Sequence, residues 1–132
     1  MSYVLAYAIA VVVFLAVDLA WLGLIAKGFY ADRMVALLRE KPRWGVAIAF
    51  YALYVTGLVY FAIAPAMASG NWQAATLNGA LFGFFTYLTY DFTNLAVLKG
   101  YDPLVAVVDT LWGTALGATV AGVTTVVLAV LG

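Results

Sequence analysis

Three aspartates stand where a chain this apolar has least use for charge. Asp18, Asp91 and Asp109 each lie inside a long run of aliphatic, glycine and aromatic residues, and TYDFTN (residues 89–94) is the densest polar insertion. A carboxylate at the centre of a lone membrane helix costs about 2.5–3.5 kcal/mol on insertion scales, so all three need partners or protons. Each is followed three positions later by a hydrogen-bonding side chain: Trp21 after Asp18, Asn94 after Asp91, Trp112 after Asp109. That spacing puts acid and partner on one helix face. Such residues can build a network that holds helices in register, relay a proton or cation, or act on a lipid headgroup or isoprenoid, alone or around Mg²⁺.

Other chemistries are excluded by residue type. The chain has no cysteine and no histidine, which removes disulfides, thiol nucleophiles, thiolate or imidazole metal sites and histidine acid–base catalysis. Net charge is zero, and there is no basic stripe for nucleic acid. An aspartate set without a phosphate-binding loop is a poor catalytic signature, so the reading leans away from an enzyme and expects neither metal nor cofactor. Lys99 sits at a helix end, not in the bundle centre, so no retinal site is implied.

The elements that must position these residues follow from composition. Hydrophobic residues make up 67% of the chain and charged ones 9%, against about 45–50% and 25% in soluble domains. Four apolar segments reach the roughly 20 residues a bilayer requires: about 3–26, 44–67, 72–98 and 103–131. No Lys or Arg precedes the first, and it carries Asp18 and Trp21, so it reads as a retained span and not a signal peptide. Asn71 can cap the third helix, Gly100 can take the left-handed turn after it, and Asp102–Pro103 reads as cap and first helical residue of the fourth. The expected fold is all-α: one transmembrane domain over residues 1–132, an up-and-down four-helix bundle.

Residues 27–43 break the pattern. They hold five of the six basic residues, with Tyr30, Met34, Leu37 and Leu38 at helical spacing. This predicts a short amphipathic helix on the membrane surface that runs until Pro42. Lys99 falls in the third loop and no basic residue in the second, so loops 27–43 and 99–102 are expected in the cytoplasm and both termini outside.

Helical rise then places the three acids at one level. Asp18 is nine residues from Lys27, Asp91 eight from Lys99 and Asp109 seven from Asp102, or roughly 10–14 Å inside the cytoplasmic boundary. Because the first and fourth spans run antiparallel, Asp18 should meet Trp112 and Asp109 should meet Trp21. Gly113 and Gly117 are expected to let those two spans approach closely, with a second small-residue strip at Gly79 and Gly83. Tyr51 and Tyr54 from the second span, and Tyr87, Tyr90 and Thr93 from the third, join the same layer. The candidate binding set is thus Asp18, Trp21, Tyr51, Tyr54, Tyr90, Asp91, Thr93, Asn94, Asp109 and Trp112.

At these residues the chain resembles a known family. Asp18-x-x-Trp21, Phe29-Tyr30, Tyr90-Asp91-x-Thr93-Asn94-x-Ala96-x-x-Lys99 and Asp109-x-x-Trp112-Gly113 are similar to the signature of domain of unknown function 2177. The resemblance implies a four-span protein of the bacterial cytoplasmic membrane and brings no reaction or ligand with it. The first expectation for the polar layer is register and binding. A proton- or cation-coupled transporter or channel component comes next, then a lipid-modifying enzyme. Membrane lipids are the expected partners, with a second copy of the chain or another membrane protein after them.

Overall fold

The computed structural model describes residues 2–132, whose regular elements are all helices, with no strand among them. A backbone in hydrocarbon has no water to satisfy its polar groups, so apolar segments close their hydrogen bonds internally as helices. Helix α1 spans Tyr3–Ala20 and passes into a π-helical turn, Trp21–Ile25; α2 covers Lys27–Met34. Helix α3, Trp44–Leu58, continues through a second π turn, Val59–Ile63, into α4, Ala64–Met67. Helices α5, Trp72–Val97, and α6, Pro103–Leu131, complete the chain.

The ends form as local chemistry directs. The Ser2 hydroxyl accepts from the Val4 and Leu5 amides, Asn71 Oδ1 from Ala74, and Asp102 Oδ1 from Leu104. Gly70 and Gly100 turn the chain between helices at φ of 66° and 76°, where a β-carbon would be strained.

Three continuous helical stretches are long and apolar enough to cross a membrane: Tyr3–Ile25, Trp44–Met67 and Pro103–Leu131. Helix α5 has 26 residues, about 39 Å of rise, but is diluted by Gln73, Asn78, several threonines, Asp91 and Asn94.

Packing follows a four-residue spacing. Ala6, Ala10, Phe14 and Asp18 form the buried stripe of α1; Ala75, Gly79, Gly83 and Asp91 form that of α5. The most enclosed helix is α6, whose Gly113 and Gly117 lie against Gly83 and Gly79 of α5. This corrects the sequence expectation: the glycine strip of the last helix packs on α5, not on α1. The two glycine strips match each other in spacing, so the backbones close to contact, whereas the buried stripe of α1 includes the bulkier Phe14.

The first loop also departs from expectation. The helix there ends at Met34, well before Pro42, and Leu37 and Leu38 lie beyond it, exposed. Its apolar residues do not point away from the protein: Phe29, Tyr30 and Met34 pack on Tyr101, Val105 and Ala106. Arg33 donates to Asp102 at 3.0 Å, tying the first loop to the third. Arg33, with the Leu104 amide second, holds the Asp102 carboxyl below its ordinary 3.8. Because the folded value is depressed, the stabilisation is complete above the ordinary carboxylate range and vanishes as pH falls through the lower, folded value. Asp102→Asn keeps the helix cap and removes the charge. Its unfolding should differ slightly from wild type at neutral pH, less so in high salt, and converge with it once pH falls below the depressed folded value of Asp102.

Candidate functional site

The inward stripes deliver the acids to one region. On α1, Asp18 is the last member of the stripe and 6% exposed. It accepts from Trp112 Nε1 of α6 at 3.2 Å, the contact expected from the antiparallel arrangement. The opposite pair does not form directly. Trp21 donates its Nε1 to Tyr30 Oη at 3.1 Å, and Tyr30 donates to Asp109 Oδ1 at 2.7 Å. The cause is the π turn that begins at Trp21: the wider turn re-aims its side chain, and α2 folds back so that a phenol stands between indole and carboxylate. The two indoles instead stack on each other, with centroids 4.4 Å apart and planes within 5°.

Asp91 has different company. It is fully buried and accepts from Tyr101 Oη at 2.8 Å and, more weakly, from Thr110 Oγ1 at 3.4 Å. Its carboxyl is within hydrogen-bonding reach of Asp109, and a bond between the two requires that one carry a proton. Burial, and then the carboxylate each one serves, hold the Tyr30 and Tyr101 phenols above their ordinary value. Both therefore stay protonated donors at neutral pH.

Tyr30, Tyr101 and Thr110 were absent from the candidate set drawn from the sequence. Tyr30 carried a signal, the Phe29-Tyr30 pair of the family pattern. Tyr101 adjoins Asp102 just past the Gly100 turn, where a side chain can reach back ten residues to Asp91. Other candidates fall outside the network: Thr93 is exposed, Tyr90 stands at the rim, and Asn94 sits half-buried beside Tyr90 and Tyr101.

A groove of about 690 Å³ opens beside these residues. It lies where α3 meets α5 through side chains, Tyr54 against Phe82 and Tyr87, while the π turn and α4 that follow come close to α5 and α6. Tyr51 and Tyr54 of α3 form one wall, and Phe82, Tyr87 and Tyr90 of α5 the other. Asp18, Asp109 and Trp112 lie between them; Asp91 does not line it. Tyr54 is 7% exposed, and its Oη has no hydrogen-bond partner among the described residues.

The family model described as "Predicted membrane protein (DUF2177)" matches residues 3–126, which includes every residue of the hydrogen-bonded network and the groove. The chain belongs to this family. Neither a curated protein nor a solved structure matches it. As a DUF2177 protein it is a membrane protein, in line with its three apolar helices. The Phe29-Tyr30 pair of this DUF2177 chain is the link between loop one and Asp109, so Tyr30→Phe should leave the ring contacts and remove two hydrogen bonds. A loss of about 1–2 kcal/mol is expected in unfolding of the purified protein, since each membrane hydrogen bond contributes about 0.6 kcal/mol and Asp109 loses its donor. Stability equal to wild type would exclude the bridge.

Proposed function

We propose that this chain is a four-span protein of the bacterial cytoplasmic membrane that binds a small molecule entering sideways from the bilayer. In this reading α5 is the remaining span, with its polar residues turned toward α6 and the groove. Loops 27–43 and 99–102 lie in the cytoplasm and both termini outside. The clustering of basic residues supports this, as does the Arg33–Asp102 pair at one end of the molecule. The acids form an intramembrane layer with two parts. Asp91, sealed with Tyr101 and Thr110, holds α5 and α6 in register; Asp18 and Asp109 face a ligand. Membrane lipids cover the apolar surface elsewhere.

One observation carries the binding reading: two carboxylates converge on a groove otherwise walled mostly by aromatic rings, with the unpartnered Tyr54 hydroxyl buried behind one wall. Ligand sites have this make-up, mostly apolar with a few convergent polar groups, and fall in this size range. Register alone does not require an open cavity next to a buried hydroxyl. The test is native mass spectrometry of the protein released from nanodiscs of its own membranes. A small molecule should be retained one to one and lost in Leu53→Trp and Thr86→Trp, which fill the mouth. Equal retention in all three proteins, or none in wild type, would defeat the reading. Topology is checked separately, and the absence of native cysteine makes single-cysteine labelling clean. Ser69→Cys should react with an impermeant maleimide in intact cells, Arg39→Cys and Lys99→Cys only after permeabilisation.

A further inference from the structure

The chemistry of the groove specifies what it takes. All six basic residues lie elsewhere, five of them within 27–43 and the sixth at Lys99, and none lines the groove. The floor has two carboxylates, Asp18 and Asp109. Trp112 bonds one oxygen of Asp18, and the other has no partner among the described residues. The walls are ring faces and edges: Tyr54 stands 5.4 Å from Phe82 and 6.2 Å from Tyr87, centroid to centroid. Rings attract a cation through the negative charge of their faces, most strongly where water is excluded. Carboxylates with no basic neighbour repel an anion, and a purely apolar guest would leave them desolvated and unpaired. A bare metal ion fits poorly, because hard cations want six or more oxygens, and no cluster of three acidic or other metal-binding residues exists among the described residues.

Resting on the reading of the groove as a binding site, we propose that its ligand is a lipophilic organic cation. It is an amine, quaternary ammonium or phosphonium amphiphile whose charge sits between Asp18 and Asp109. Its apolar body lies along the rings of Tyr51, Tyr54 and Phe82.

Three probes of one shape and different charge test this on the wild-type protein in nanodiscs: tetraphenylphosphonium, tetraphenylborate and neutral triphenylphosphine oxide. Quenching of tryptophan fluorescence, with Trp112 in the groove, reads binding. The cation should bind saturably, one to one, and at least about ten-fold more tightly than the neutral probe, with no saturable binding of the anion. Asp18→Asn and Asp109→Asn should each weaken the cation by about ten-fold or more and leave the neutral probe unchanged. If those variants do not fold, Tyr51→Leu replaces them: it removes a ring of the wall, with a loss larger for the cation than for the neutral probe. Neutral and cationic probes binding equally would overturn the charge assignment while the groove remained a site. A retained native molecule together with no binding of any probe would overturn the cation proposal alone. Absence of both would overturn the binding reading with it.

Discussion

Replacing Gly83 with alanine should cost about 3 kcal/mol of stability, the largest effect expected of any single methyl group in this protein. A β-carbon on Gly83 would run into the carbonyl of Gly113, and one on Gly79 or Gly117 would strike the facing backbone in the same way. Backbone cannot swing aside as a flexible side chain can, so α5 and α6 must separate along their whole seam. Contacts elsewhere on the two stripes, including those around Asp91 and Thr110, would loosen with them. Gly113→Ala should behave similarly, because its β-carbon meets the base of the Tyr87 ring. Gly28→Ala and Gly45→Ala are the controls, since no atom lies within 4 Å of the added carbon. These should be neutral or stabilising by up to about 1 kcal/mol, as alanine restricts the unfolded chain and favours helix. Equilibrium unfolding in mixed detergent measures all four. A Gly83→Ala protein as stable as Gly45→Ala would show that the helices do not touch there.

Asp91→Ala should cost about 2–3 kcal/mol, whereas Asp91→Asn should stay within about 1 kcal/mol of wild type. Asp91 is wholly enclosed and serves as acceptor for the Tyr101 hydroxyl at 2.8 Å. Alanine leaves that donor buried without an acceptor, next to the hole left by the carboxyl. Thr110 adds little to the cost: its bond is long, and its hydroxyl can turn to a backbone carbonyl in the preceding turn. Asparagine keeps an acceptor for Tyr101, and its amide N–H can donate toward Asp109, as the protonated acid of a carboxyl pair would. The same unfolding measurement decides. Equal losses in both variants would mean that the negative charge, not the hydrogen bond, is what Asp91 contributes.

These two results would locate stability in the α5–α6 seam, apart from the groove that Asp18 and Asp109 line. This division matters for the proposed function. A residue that holds the bundle together and a residue that meets a ligand are both intramembrane aspartates by sequence, and only their surroundings separate them. Asp91 has a full set of protein donors and no access to the groove. Asp18 has one donor and an open side.

By itself the sequence determined what local chemistry determines. Three apolar helices of bilayer length, Asn71 and Asp102 as caps and Gly100 as the turn all follow from short-range pattern. So did the meeting of Asp18 with Trp112, because antiparallel helices with a three-residue offset leave few alternatives. Tertiary structure alone decided the azimuth of each helix and hence the partners. A π turn inserts one residue without changing composition, and one residue rotates everything after it by about 100°. Behind the first π turn α2 folds back, so Tyr30 stands between Trp21 and Asp109. The glycines of α6 chose α5 because two flat strips can approach more closely than a strip and a phenylalanine, a comparison between surfaces that no single segment contains.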